Sequence, residues 1–184
     1  RSSAASDVYK RQTIASYMKG YSDPRSAVYF TTSKLGGDSP YMGMRSGLEG
    51  VKPATYSGYS MPNYEQKDDM LMFCAAETAF LRAEGALRGW DMGGSARDFY
   101  EQGVKLSFDQ RKVSGADEYL ANAVAVPEPF VDPVNPAKCN YTPKTKITIA
   151  WNEGASTEEK LERIITQKWI ANFPLGFEGW ADYR

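Results

Sequence analysis

The 184 residues contain no histidine. That removes the commonest metal ligand and the usual general base near neutral pH. Ser-His-Asp triads, Cys-His dyads and His-based zinc sites are excluded within this chain. Cysteine is scarce: Cys74 and Cys139 form no CxxC or metal-spaced pattern. Cys74 lies in an apolar run, where a buried free thiol is the ordinary outcome. A disulfide between the two is the other reading, open for an exported protein if their Cα atoms lie close. Excess charge is also missing, since 22 basic residues face 23 acidic ones for a net charge of −1. With no dense basic cluster, nucleic acid is not an expected partner. No stretch nears the roughly 20 apolar residues that cross a bilayer as a helix. No P-loop, GxGxxG or GxSxG occurs, and no metal or cofactor is expected.

What is present is an ordinary globular composition, 42% hydrophobic and 24% charged, on a chain long enough for a real core. Both ends read as cuts. Residues 1–12 (RSSAASDVYKRQ) have no apolar period, resemble translated cloning sequence and are expected to be a non-native tail. Residues 13–66 are rich in Gly, Ser, Pro and Tyr, with turn clusters at Gly36–Pro40 and Tyr59–Asn63. This segment reads as irregular loops on a helical scaffold, with Ala27–Phe30 a candidate brief strand. A long ordered loop region in a compact domain is often functional.

Residues 67–184 read as helical. Asp68 and Asp69 open a run from Met70 to Trp90 in which Met72, Phe73, Ala76, Ala79, Phe80, Ala83 and Leu87 share a face. Gly89 and Gly93-Gly94 end it. Ser95, with Asp98 three residues on, then caps a second helix reaching about Arg111, its stripe being Phe99, Tyr100, Val104 and Phe108. So short a turn makes the pair an antiparallel hairpin. Ala96 and Tyr100 match the A-x3-F/Y element of a tetratricopeptide second helix, and Gly103 is a small residue suited to a helix crossing. No second copy occurs at a period of 34, so an ordinary helical bundle is the competing architecture. Asp117–Val124 is a further short helix, and prolines force a loop over residues 126–144. Lys146–Trp151 alternates as a strand does. Ser156-Thr157-Glu158-Glu159 is a capping box for a last helix carrying Leu161, Ile164, Ile165 and Trp169 on one face and stopped by Pro174.

These segments carry a resemblance. Ala79–Trp90 (AFLRAEGALRGW), Met92–Ala96, Phe99–Val104, Ile147–Trp151, Glu162–Ala171 and Phe177–Arg184 (FEGWADYR) are similar, in the same order, to segments of SusD/RagB proteins. Gly85 and Gly179 depart from the Ala usual there. The resemblance implies a mainly α, tetratricopeptide-like helical scaffold with long irregular loops and little β structure. It also implies a non-catalytic outer-membrane lipoprotein that binds a nutrient glycan, or in the RagB-like branch a peptide. Such a protein hands its ligand to a TonB-dependent, SusC-like transporter. The lipid-bearing Cys and the N-terminal helical repeats are not in this sequence.

Each candidate site also has a packing reading. Glu77 and Glu84 stand two turns apart, about 10.5 Å along the axis, a spacing that alone does not exclude a glycosidase pair. Glu84 and Arg88 are also i,i+4 partners, the structural reading. Trp90, Trp151, Trp169 and Trp180 fall in scaffold segments and are expected to pack. The ligand contacts are placed on the Tyr-rich loops. Tyr41, Tyr56 and Tyr59, with Tyr64 beside them, offer rings with a hydroxyl, and Arg45 offers a planar multi-donor head. Asp132, Asn135 and Asn140 read as turn formers, with Ca²⁺ ligation the alternative. A helical-repeat adaptor for protein partners, and an all-helical glycosidase, are the competing functions.

Overall fold

The computed structural model describes residues 11–45, 57–65, 67–69 and 71–175. Among them are seven helices, three isolated β-bridges and no strand. The chain folds as two compact units, one gathering residues 1–66 and 126–146, the other residues 67–125 and 147–184. The Pro-rich segment, expected within the helical region, therefore belongs with the loops.

In the loop-rich unit, α1 (Gln12–Gly20) buries Ile14, Ala15 and Met18, and α2 (Ser26–Tyr29) is a single turn. Ala27–Tyr29 thus belongs to a helix turn rather than a strand. Residues 11 and 12, expected in the tail, are part of the fold: Arg11 bridges to Met44, and the Gln12 N–H donates to the Met44 carbonyl at 3.1 Å. Order comes from cross-chain backbone bonds. The Thr31 N–H donates to Met61, Lys34 to Gly58 and Asn63 to Tyr29, so residues 57–63 run alongside residues 29–34. Beneath lies a core of Ala15, Met42, Met44, Tyr59 and Phe130, flanked by Leu35 and Tyr141. Close by in sequence, Arg25 is fully buried and bonds Asp23 through both Nε (2.9 Å) and Nη2 (2.6 Å). Phe130 and Tyr141 exchange backbone bonds, closing a loop that carries α3 (Pro136–Cys139).

The helical unit is built on α4 (Ala75–Leu87) and α5 (Ala96–Gln110). Ala76, Ala79, Phe80 and Ala83 form the buried face of α4. The sequence places its start too early. Residues 71–74 precede the helix, Cys74 is its N-cap in an extended conformation, and Met72 and Phe73 are about three-quarters exposed. Cys74 is fully buried, with its Sγ 3.4 Å from Gln110 Oε1, which anchors the chain just before the helix. At the other end Gly89 takes a φ of 82°, which an L side chain rarely adopts. Ser95 and Asp98 form the reciprocal capping box of α5.

Phe80 packs edge-on to Tyr100 at 6.2 Å, and the Tyr100 hydroxyl donates to the Ile149 carbonyl at 2.6 Å. α6 (Ala116–Leu120) follows, shorter than expected. The Asn122 side chain accepts from the Val124 and Ala125 N–H groups and turns the chain away. Ile147 and Ile149 are buried as the alternation predicts, yet no strand forms, because side chains take the carbonyls a neighbouring strand would need. Tyr100 bonds that of Ile149, and Arg163 Nε bonds that of Thr148 at 3.0 Å. α7 (Thr157–Ala171) carries the second capping box, Ser156 with Glu159. Its inner face is more polar than the sequence stripe implied. Arg163, Gln167 and Lys168 are buried beside Ile164, while Leu161, Ile165 and Trp169 are half-exposed.

Candidate functional site

The loop-rich unit carries the residues expected to meet ligand. Tyr41 sits in a turn where the Ser39 hydroxyl accepts its N–H at 3.2 Å, and the Ser33 N–H donates to Pro40. It is half-exposed, with Met42 beside it in the core. Arg45 is exposed, one residue beyond buried Met44, and its Nη1 donates to the Lys138 carbonyl at the end of α3. Tyr64 is exposed where the 57–63 segment runs out. Tyr56 lies outside the described residues.

Tyr59 is a correction. Only 5% of it is exposed, and its hydroxyl lies 2.9 and 3.0 Å from the two carboxylate oxygens of Asp132. A ring in the core with its hydroxyl on a buried acid cannot offer a face to a ligand. The same acid accounts for the 130–141 loop. Asp132 Oδ1 accepts the Val134 and Asn135 N–H groups, and Asn140 Oδ1 accepts the Asp132 N–H. These are turn-forming bonds, which supports the turn reading over Ca²⁺ ligation. Burial, and next the charge of Asp132, push the Cys139 thiol up, so it stays neutral. Both cysteines are free thiols. The 130–141 loop is the part of the site that residue types alone did not reveal. Its signal in sequence is Asp132-Pro133-Val134-Asn135-Pro136, an Asx turn running into a helix with Pro at its first position.

In the helical unit Glu77 and Glu84 do not converge. Glu77 accepts from Asn172 Nδ2 at 3.0 Å and lies 3.7 Å from Lys168 Nζ. Glu84 holds Arg88 at 2.6 Å, as the i,i+4 spacing predicts. Trp151 packs on Tyr100 at 5.4 Å, and Trp169 is half-buried. Trp90, expected to pack, is 64% exposed. Trp180 is outside the described residues.

The chain is thus mainly helical, with rings and a guanidinium on the stitched loops of one unit and, in the other, Glu77 and Glu84 each held by structural partners. The chain belongs to the SusD-like family, described as Susd and RagB outer membrane lipoprotein, whose model matches residues 4–184. A SusD-like protein from Bacteroides thetaiotaomicron is 47% identical with a TM-score of 0.87, covering 94% of this chain and 37% of its own. A chitin-binding SusD homolog from Flavobacterium johnsoniae is also 47% identical with a TM-score of 0.87, covering 94% and 36%. A SusD homolog from Bacteroides uniformis is 48% identical with a TM-score of 0.86, again covering 94% and 36%. The chain thus spans little more than a third of the length of these relatives. No curated protein matches it.

Proposed function

We propose that this chain is part of a cell-surface lipoprotein of the outer membrane that captures a nutrient glycan and delivers it to a TonB-dependent, SusC-like transporter. The observation that carries the glycan is the chitin-binding homolog, 47% identical over 94% of the chain. The site chemistry agrees with capture and not with cleavage. Glycosidases need one carboxyl with a raised pKa opposite a second one; Glu77 and Glu84 are each held by cationic or amide partners instead. Tyr41 and Arg45 are the residues of the loop-rich unit that we assign to the ligand. An aromatic face packs on sugar C–H groups, and a guanidinium donates to hydroxyls. Tyr56 stands with them by sequence alone, and Tyr59 supports the loops from below.

The test is binding of the full-length protein containing this chain to a panel of polysaccharides and peptides, by affinity gel and calorimetry. Saturable binding of a glycan without its cleavage supports capture. Binding of peptides alone would move the assignment to peptide capture, and binding of neither, with the transporter still bound, would favour a protein adaptor.

A further inference from the structure

The end of α4 fixes Trp90. Arg88 caps the helix, the Gly89 N–H donates to Ala86 at 3.0 Å, and the Trp90 N–H donates to Gly85 at 3.0 Å. This pair of bonds ordinarily brings the residue at Trp90's position against the side chain at Gly85's position. Gly85 has none. A Cβ there would meet Met92 first, with Sδ at 2.8 Å, and then the indole Cε3 at 3.3 Å. The rest of the tip is equally determined. Arg82 Nη2 donates to the Met92 carbonyl at 2.7 Å, Asp91 accepts the Gly93 N–H at 3.2 Å, and the Ser95 capping box starts α5. The backbone is held at every step, yet the ring remains 64% exposed.

A fixed backbone beneath an exposed ring favours binding, because little main-chain freedom is left to lose. The residues next to Trp90 in sequence suit a sugar. Between Arg88 and Ser95 the only large apolar residues are Trp90 and half-buried Met92; Arg88, Asp91, Gly93, Gly94 and Ser95 are exposed. A protein partner needs a contiguous surface of roughly 800 Å² with an apolar centre. A sugar needs less: one flat ring for its C–H face, with donors and acceptors at the rim.

We propose that Trp90, in the helical unit, is a stacking contact for a glycan. The inference rests on the glycan reading above. Its test uses the full-length protein with hexamers of N-acetylglucosamine and of glucose, comparing Trp90→Ala and Trp90→Phe by calorimetry and thermal melting. Trp90→Ala should weaken binding of the preferred hexamer about tenfold or more, Trp90→Phe should retain part of it, and neither should move the melting temperature. Unchanged affinity in Trp90→Ala overturns the inference while leaving the glycan reading intact. A drop of several degrees in melting temperature overturns it too, since the ring would then pack within the longer protein. If the unmutated protein binds neither hexamer nor any polysaccharide of the panel, both proposals fall together.

Discussion

A Cβ on Gly103 would stand 2.8 Å from two ring carbons of Phe80. The ring is fully buried and already packed against Tyr100, so it has nowhere to move. Gly103→Ala should therefore destabilise the chain by about 1–2 kcal/mol, the overpacking cost outweighing the gain of up to about 1 kcal/mol in helix propensity. Urea denaturation of the two proteins checks the sign.

Gly85→Ala has the opposite expectation. The added methyl meets chiefly Met92, with Sδ at 2.8 Å, on a flexible side chain that can swing aside. Propensity then offsets the small repacking cost, and stability should stay within about 0.5 kcal/mol of the parent. A loss comparable to that of Gly103→Ala in the same titration would show that Met92 is rigidly held.

Asp23 and Arg25 are both fully buried. Removing the acid alone takes a bidentate charged partner from a guanidinium in the interior. Asp23→Ala should cost about 3–5 kcal/mol, whereas replacing both by apolar residues of similar volume should cost much less. Comparing the denaturation midpoints of the single and double variants checks this.

Tyr59→Phe should lower stability by about 1–3 kcal/mol, because the Asp132 carboxylate loses a buried donor, and should leave glycan affinity unchanged. Tyr41→Ala should do the reverse, weakening glycan binding with little effect on melting. Calorimetry and melting curves on both variants separate core from surface. A loss of affinity in Tyr59→Phe at unchanged stability would return Tyr59 to the ligand.

Lys19 lies 2.5 Å from Asp38 and 3.2 Å from Glu128. Burial acts to lower its pKa, but the hydrogen bonds and charges of the two acids together raise it above the usual 10.5. A raised folded value means the contribution is complete below the ordinary lysine value and is lost as pH rises through the folded one. The stability difference between the natural chain and Lys19→Met should therefore be larger at pH 8 than at pH 12, read from urea midpoints. A constant difference would show that the amine contributes nothing electrostatic.

Much of the helical unit was legible before any coordinates. Ser95 with Asp98, and Ser156 with Glu159, mark helix starts because each satisfies backbone donors locally, whatever the rest of the chain does. Gly89 marks a stop for the same local reason. The segments resembling SusD/RagB proteins lie largely on these elements, and the family match bears out that recognition.

What stayed hidden depends on partners distant in sequence. Tyr59 looked like a ligand contact because a tyrosine in a Gly- and Pro-rich loop reads as surface, and only Asp132, 73 residues away, draws it inside. The alternation at 147–151 looked like a strand until Tyr100 and Arg163 took its carbonyls. Trp90 shared the aromatic identity of Trp151, but one packs on Tyr100 while the other overhangs a glycine. Caps, turns and periodicity act within about one helical turn, so residue order alone determines them. Which ring is buried and which is presented is decided by groups that only tertiary folding brings together.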